Sequence, residues 1–436
     1  MARVDALNPK INAFVTVTAE RARADAAAAD ADFARGIDRG PLQGIPYGLK
    51  DIYDTAGIRT ACHSKLRLDH VPQKDSAVAE KFAAQGAVLL GKLTTNEFAL
   101  GNPDPDAPFP PALNPWNLDH SPGGSSSGSG AAVAAGLVRL AMGSDTGASI
   151  RGPASFCGVV GLKPTFGLVS RRGVFPLSPS LDHCGPLTKS VEDAAIAMEA
   201  LAGHDPHDPA SANVPAPPFR GGLNAGVKGL RIGVPRHFYR GAKGLSAETG
   251  TAIDCSLQKL RDLGAIVSDI ALPDYATFTA CGRVIMYTEA FAVHEKDFRT
   301  RPRDFGFSTY MRMIMGAFTT GADMVQALRL QRELTGAVNR QFQNCDAIVT
   351  ATALGPAPKM NLPGDWSMPS DSPMQCIPFN VTGHPAMAVP AGFSSSGLPL
   401  ALQIVAKHFD EPMVLRIGAA LENDNAVHSR WPDLAA

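Results

Sequence analysis

The 436-residue sequence has almost no net charge, no long apolar run and no closely paired cysteines. Its formal net charge is −1, without a block of Lys and Arg. This argues against nucleic acid as a partner, because phosphate binding requires clustered positive charge. No apolar run reaches the roughly 18–20 residues of a membrane span, and residues 1–5 carry no apolar signal region. The sequence therefore predicts a cytoplasmic protein with no membrane or nucleic-acid partner.

Seven cysteines are odd in number, scattered, and free of C-x-x-C pairs. This pattern favours reduced thiols over a disulfide framework or a metal site. The composition, 45% hydrophobic and 19% charged, is ordinary for a globular enzyme. The length permits two or three domains, although large α/β enzymes often use one.

Helix-like and strand-like patterns alternate through both halves of the chain. A buried strand at 42–51, a helix that Asp75 or Ser76 could cap and that ends at about 85, and a strand at 87–90 predict a parallel βαβ unit. Further strands are predicted at 138–142, 230–234, 266–272 and 347–350 and near 387 and 400, with helices at 190–201, 246–263, 323–344 and from 411. We therefore predict one α/β/α sandwich around a large mixed sheet, spanning residues 1–436.

Two loops of small residues and one lysine form a candidate catalytic set. Ser125 lies in the Gly- and Ser-rich run 123–130, Ser149 lies near the end of the run 143–151, and Lys50 follows the nearly uncharged run 44–49. A serine is a weak nucleophile until a base takes its proton. Lysine is such a base only when burial lowers its pKa from about 10.4. We predict a buried Lys50, with Asp51 on the opposite face of the sheet.

Each of these segments also has simpler interpretations. Taken alone, Lys50 is more often a surface lysine. The run 123–130 could be a flexible linker; it lacks the Gly-Lys-Ser/Thr ending of a phosphate loop. It also matches the G-x-S-x-G elbow, which would make Ser126 the nucleophile, but residues 120–123 cannot supply the strand that an elbow needs. The segment 146–149 is either an ordinary strand-to-helix turn or a set of backbone N–H groups aimed at an oxyanion.

The block 121–165, together with the runs 44–51 and 182–186, resembles the amidase signature family, and the similarity extends from about residue 8 to about 422. The resemblance implies a sheet of about eleven strands, a catalytic core at about 42–190, a substrate-pocket half at about 227–425, and no metal or organic cofactor. It implies that Ser149 is the nucleophile, that Ser125, after a cis peptide bond, is the proton relay, and that Lys50 is the base. It further implies oxyanion-hole N–H groups at Thr146, Gly147, Ala148 and Ser149, with Asp145, Arg151 and Ser126 in support. Ala148 departs from the family, where glycine is common, which puts the oxyanion geometry in question.

These observations predict an amidohydrolase that cleaves a C–N bond of a small molecule through an acyl-enzyme on Ser149 and releases ammonia or an amine. The substrate would be an amide such as an aryl amide, a carbamate or a ureide. The predicted partners are this small-molecule substrate and a second copy of the chain in a homodimer. Segments 284–291, 311–318 and 374–379, rich in Met, Phe and Tyr, are candidate pocket walls. Segments 289–294 and 301–305 faintly resemble the carboxybiuret branch of the family.

Two other functions compete with this interpretation. The alternative is the amidase (glutaminase) subunit of a tRNA-dependent amidotransferase, which we place second because the chain lacks a Tyr-Gly-x-Arg-Tyr-Gly stretch like the one this subunit uses to bind glutamine's α-carboxylate. A non-enzymatic binding protein on the same fold would require the loss of one catalytic residue, and Lys50, Ser125 and Ser149 are all present.

Overall fold

The computed structural model describes residues 1–104, 106–360, 373–422 and 426–434. These residues form eleven strands: β1 (Phe14–Val17), β2 (Pro46–Lys50), β3 (Val88–Leu93), β4 (Leu140–Asp145), β5 (Val160–Lys163), β6 (His183–Thr188), β7 (Arg231–Val234), β8 (Ile266–Asp269), β9 (Ala347–Ala351), β10 (Ala386–Phe393) and β11 (Pro399–Val405). All belong to one mixed sheet of order β1-β3-β2-β4-β6-β5-β10-β11-β9-β7-β8. The predicted α/β fold with a large mixed sheet is confirmed.

The helices that flank this sheet are α1 (Ala2–Ile11), α2 (Ala19–Ala34), α3 (Ala77–Ala84), α4 (Ser127–Ala134), α5 (Arg151–Cys157), α6 (Val191–Leu201), α7 (Ala247–Asp262), α8 (Tyr275–Thr300), α9 (Phe307–Met313), α10 (Gly321–Gln341), α11 (Pro378–Val381) and α12 (Glu411–Glu422). Within the described ranges, no helix combines the length and apolarity that crossing a bilayer requires.

The predicted parallel βαβ unit is present. β2 pairs in parallel with β3 on one side and with β4 on the other. Ser76 caps α3, accepting a hydrogen bond from the Ala79 N–H at 3.4 Å. β2 is shorter than the predicted strand because residues 41–44 form a turn, and Gly44 there has a φ of 75°, a conformation that glycine adopts without steric strain.

Two elements near the candidate site differ from the sequence-based expectations. β4 extends to Asp145, three residues beyond the predicted end, so that it carries Ser144 and Asp145. α4 begins at Ser127, inside the Gly- and Ser-rich run, and all eight of its residues are buried. The run is therefore a buried helix start and not a flexible linker. A helix of Ser, Gly and Ala is thin, which lets neighbouring backbones approach it closely.

The 26-residue helix α8 was not predicted from the sequence. Its buried residues recur at the three- and four-residue spacing of one helix face: they are Phe278, Cys281, Gly282, Ile285, Met286, Ala290, His294 and Phe298. The candidate pocket segment 284–291 lies within this helix, and 311–318 covers the end of α9 and the turn after it. The periodicity that defines α8 is therefore present in the sequence itself.

Several central strands are buried along their whole length. Every residue of β3, β4, β6, β9 and β11 is buried. Strands buried on both faces hold any polar side chain away from water, where it needs a partner. The polar residues at the ends of β2 and β4 are therefore confined to a low-dielectric region. The division into a catalytic core at 42–190 and a pocket half at 227–425 stays a prediction.

Candidate active site

Lys50, the last residue of β2, is fully buried. Its Nζ lies 2.7 Å from Ser125 Oγ and 2.8 Å from Ser144 Oγ. Burial lowers the pKa of Lys50 to about 7, although the negative charges of Asp182 and Asp145 act to raise it. A large fraction of the amine is therefore uncharged near neutral pH, as a base requires. Ser144 as a partner of Lys50 was not predicted from the sequence.

Asp51 faces away from this lysine. Its Oδ1 lies 3.2 Å from Lys92 Nζ, and its Oδ2 accepts the Ala61 N–H at 3.1 Å. Successive residues of a strand point to opposite faces of the sheet, which separates the Asp51 carboxylate from the Lys50 amine. The neighbouring acid consequently does not hold Lys50 in its charged form.

The segment that carries Ser125 is tied to β4 by hydroxyl groups. The Gly124–Ser125 peptide bond is cis. Ser126 Oγ donates to the Ser144 carbonyl and accepts the Ser144 N–H, both at 3.2 Å, and Ser129 Oγ donates to the Met142 carbonyl at 2.9 Å. Ser126 thus binds the start of α4 to β4, since its hydroxyl forms hydrogen bonds with the backbone of Ser144.

Close contact between α4 and β3 depends on one glycine. The Gly128 N–H donates to the Thr94 carbonyl at 2.9 Å. A Cβ on Gly128 would lie 2.3 Å from the Ala13 oxygen and 2.4 Å from the Thr94 nitrogen. Only a residue without a side chain fits between these backbones.

Ser149 lies in the turn that joins β4 to α5 and is partly exposed. Its carbonyl accepts the Ser126 N–H at 3.3 Å, which places the two serine segments side by side. No direct hydrogen bond joins the Ser125 and Ser149 hydroxyls in the described part of the chain. Of the three predicted catalytic side chains, the structure therefore pairs Lys50 with Ser125 directly and brings Ser149 alongside through the backbone.

The backbone N–H groups of residues 146–149 find no acceptor among the described residues. They precede α5, whose N-terminus carries partial positive charge. Ala148 is absent from the residues with positive φ, so its methyl group does not bring the strain that a glycine would avoid. The departure at Ala148 is therefore compatible with a turn that presents free N–H donors.

Asp145 and Arg151 form a fully buried pair beneath this turn. Arg151 Nε donates to Oδ2 at 3.0 Å and Nη2 to Oδ1 at 2.9 Å, and the Ile150 and Arg151 N–H groups also donate to Oδ2, at 3.0 and 3.2 Å. Burial alone would raise the pKa of Asp145, but the charge and hydrogen bonds of Arg151, together with Asn380, lower it well below its usual range. The carboxylate stays ionised and fixes the start of α5.

Two residues from the other half of the chain complete this pair. Asn380 on α11 donates to the Asp145 carbonyl and to Oδ1, each at 2.9 Å, and accepts from Arg151 Nη2 at 2.5 Å. Gln403 on β11 accepts from Arg151 Nη1 at 3.0 Å. Neither was predicted. Gln403 did leave a signal, since it is the single polar side chain in the apolar strand 399–405, and a buried polar group needs a partner.

A cavity of about 160 Å³ opens beside Ser144. Its walls include Val174, Phe175 and Leu177, with Arg171 and Asp182 as polar members. The volume is close to the ~150 Å³ that holds one benzene molecule. The cavity therefore suits a small molecule or one arm of a larger one.

Two arginines on the helical layer have no acidic partner among the described residues. Arg283 lies on α8 and Arg312 on α9. Burial lowers the pKa of Arg312, and the positive charge of Arg283 lowers it further, whereas the interaction with Tyr287 raises it. Two neighbouring positive charges without a counter-ion are the arrangement that binds an anion. Neither arginine was predicted from the sequence.

Comparison with known proteins gives the family. The model of the family described as Amidase matches residues 1–415. The glutamyl-tRNA(Gln) amidotransferase of Geobacter metallireducens has an A subunit that is 41% identical over 99% of this chain and 93% of its own length. The native peptide amidase from Stenotrophomonas maltophilia has a TM-score of 0.86 and 31% identity over 100% of this chain and 94% of its own.

A further solved structure is titled "An unexpected vestigial protein complex reveals the evolutionary origins of an s-triazine catabolic enzyme". Its TM-score is 0.90, with 36% identity over 97% of this chain and 93% of its own. The chain belongs to the amidase family. It is accordingly a hydrolase of carbon–nitrogen bonds in amides, as predicted.

The curated relatives favour the second of the two predicted functions, that of the amidotransferase component, over the first. They also show that two of the predicted partner statements, a small-molecule amide as the substrate and no nucleic acid, are wrong. The predicted second copy of the chain and the predicted lack of a membrane partner stay predictions. The relatives are named as one subunit of an enzyme whose substrate is a tRNA. The absence of a nucleic-acid partner was inferred from a net charge near zero, which describes a single chain and not the surface of a complex of subunits.

Proposed function

We propose that this chain is the amidase subunit of a tRNA-dependent amidotransferase, and that it releases ammonia from the side-chain amide of glutamine. The similarity to the corresponding amidotransferase subunits over nearly the whole chain carries this proposal. The hydrogen-bonding distance between Lys50 Nζ and Ser125 Oγ supports the chemistry. In line with the family resemblance, the proposed steps use no metal or organic cofactor. We place the protein in the cytoplasm.

The uncharged Lys50 amine takes a proton from Ser125, which takes one from Ser149 as Ser149 Oγ attacks the amide carbon. The backbone N–H groups of residues 146–149 bind the oxyanion that forms. The proton returns through Ser125 to the leaving nitrogen, the C–N bond breaks and ammonia departs. Water then attacks the acyl-enzyme, giving up a proton along the same path, and releases the acid. Asp145, Arg151 and Ser126 support the turn and do not touch the reacting atoms.

Arg283 and Arg312, which have no acidic partner among the described residues, support a substrate that carries an anionic group. Glutamine has an α-carboxylate, and arginine pairs with carboxylates through two parallel hydrogen bonds. A pair of arginines supplied by α8 and α9 could perform this role without the Tyr-Gly-x-Arg-Tyr-Gly stretch. We expect Arg312→Gln to raise the KM for glutamine about tenfold or more with a smaller change in kcat, as steady-state kinetics would measure. An unchanged KM would remove this residue from substrate binding.

The proposal is tested by measuring ammonia release from glutamine, first with the purified chain and then with the subunits that co-purify with it. Ser149→Ala should abolish release, while Ser395→Ala, at an exposed serine, should not change it. A fluorophosphonate probe should label the wild type at Ser149 and leave Ser149→Ala unlabelled. Full glutaminase activity in Ser149→Ala would refute the mechanism.

Hydrolysis of a ureide within a protein complex is a second candidate. It is favoured by the structural neighbour that is described as a vestigial protein complex revealing the origins of an s-triazine catabolic enzyme, at a TM-score of 0.90, and by the missing Tyr-Gly-x-Arg-Tyr-Gly stretch. Ammonia release from a carboxylated biuret but not from glutamine, by the wild type with its co-purified subunits, would select this candidate over the first.

A further inference from the structure

Asp182 is linked both to the oxyanion segment 146–149 and to the surroundings of Lys50, which lie far apart along the sequence. It precedes β6, and its Oδ1 accepts the Thr146 hydroxyl at 2.6 Å. Thr146 is the first residue of the 146–149 segment. Asp182 also lines the 160 Å³ cavity together with Ser144, whose hydroxyl lies 2.8 Å from Lys50 Nζ. The carboxyl group thus contacts the oxyanion segment directly and acts on the lysine through its charge.

Within the described ranges, the Asp182 carboxyl group acts as an acceptor in each of its hydrogen bonds. Besides the Thr146 hydroxyl, Oδ2 accepts the Leu177 N–H at 2.9 Å and the Ser178 N–H at 3.0 Å. Burial raises the pKa of Asp182, and these three donors oppose that rise. Because a carboxylate accepts at both oxygens while a carboxylic acid must donate from one, these three donors favour the ionised form, in opposition to burial.

We propose that Asp182 is a positioning residue, which fixes Thr146 at the start of the oxyanion segment and places a negative charge near Lys50. This inference rests on the proposed acyl-enzyme chemistry at Ser149. It gives Asp182 two separable effects: its hydrogen bond to Thr146 aligns the N–H donors, and its charge raises the proton affinity of the lysine. Without the charge, the lysine would lose its proton at a lower pH.

The charged and titratable groups around Lys50 restrict where such an effect can arise. Besides Asp182, those that act on it are Asp145, Cys184 and Cys62. Asp145 is paired with Arg151, and burial raises the pKa of both thiols to about 12, which keeps them neutral. His183, next to Asp182, has a pKa that burial lowers well below its usual range, so it is uncharged. The charge of Arg171 acts on Asp182, but among the described residues no arginine side chain forms hydrogen bonds to its carboxyl group, in contrast to Asp145.

The test measures the rate of Ser149 labelling by a fluorophosphonate probe as a function of pH, which needs no knowledge of the natural substrate. We expect Asp182→Asn to move the acidic limb of the profile to lower pH by about one unit, since a nearby opposite charge shifts a pKa by about that much or more. Thr146→Val keeps the charge and removes the hydrogen bond. It should slow labelling about tenfold without moving the limb, and Thr146→Ser should restore the rate.

The outcomes separate this inference from the proposed function. No labelling of wild-type Ser149 would refute the acyl-enzyme, and with it this role of Asp182. Normal wild-type labelling with an unmoved limb in Asp182→Asn would overturn the inference alone, even if the rate falls, because loss of structure does not account for a limb position. If Asp182→Asn lacks a cooperative melting transition, Asp182→Glu serves in its place. This variant retains the negative charge, so the acidic limb should stay within a few tenths of a pH unit of its wild-type position. A displaced limb in Asp182→Glu would contradict the proposal.

Discussion

At the scale of single residues, Lys50 shows how one position joins folding and chemistry. The sheet buries its amine completely, and the same burial lowers its pKa to about 7. A lysine left in water would stay protonated and could not take the Ser125 proton. The proposed reactivity is therefore a consequence of where β2 ends, and not of the lysine side chain alone.

We expect Ser149 labelling in the wild type to rise about tenfold per pH unit below a pH of about 7 and to level off above it, because only the neutral amine is a base. Lys50→Met should slow labelling by about 10²–10⁴-fold, the range of general-base catalysis. Labelling kinetics at pH 5–9 would measure both effects. A Lys50→Met rate equal to wild type would exclude Lys50 as the base.

The lowered pKa of Lys50 also predicts how the stability of the protein depends on pH. The unfolded chain keeps the Lys50 proton up to about 10.5, whereas the folded chain releases it near 7. Between these values the unfolded state binds more protons, so the contribution of Lys50 to stability rises with pH. Lys50→Met removes this contribution. Its melting temperature relative to wild type should therefore be higher at pH 6 than at pH 9, and the opposite order would contradict a neutral buried lysine.

At the scale of elements, the position of Ser125 depends on how closely α4 approaches the sheet. Gly128 allows that approach, because a Cβ there would lie 2.3 Å from the Ala13 oxygen. Gly128→Ala must push α4 outwards. We expect a loss of about 1–3 kcal/mol in the free energy of unfolding, as overpacking produces, and slower labelling of Ser149, measured by denaturant unfolding and by the probe.

Gly336→Ala on α10 is the matched control. A Cβ there has the Arg340 side chain as its nearest neighbour, at 3.5 Å, and alanine favours a helix over glycine by about 1 kcal/mol. This variant should be as stable as wild type or more so. Equal losses in the two variants would mean that the close approach of α4 has no special role.

Sequence patterns predicted the elements whose residues interact locally. Ser125 and Ser149 were found because each lies in a short run of small residues, and Lys50 because it follows a nearly uncharged run; the family resemblance then gave all three their roles. The capped α3 and the βαβ unit follow from neighbouring residues. Asn380 and Gln403 were missed because their partners, Asp145 and Arg151, lie more than two hundred positions away. The order of strands in the sheet brings these four residues together, and that order cannot be read from the spacing of residues along the chain. The catalytic roles of the predicted residues stay a prediction.

At the scale of the whole molecule, the buried Asp145–Arg151 pair joins the two halves of the chain. The pair itself comes from β4 and α5, and its partners come from α11 and β11. Breaking a buried pair is strongly destabilising, because the remaining charge has no solvent to compensate it. The turn that carries Ser149 therefore depends on residues of both halves, which argues that the halves unfold together.

Gln403→Met tests this dependence with little change in side-chain volume. It removes one acceptor of Arg151 Nη1, which keeps the Cys376 carbonyl at 2.9 Å, and the donor to the Ala351 and Gln375 carbonyls, at 2.8 and 2.7 Å. We expect a loss of about 3 kcal/mol or more in unfolding free energy, against almost none for Gln73→Met at an exposed glutamine. Calorimetry should give a single transition, and Ser149 labelling should disappear at the same temperature. Two transitions, or loss of labelling well below the melting temperature, would show that the catalytic core at 42–190 unfolds separately from the C-terminal half.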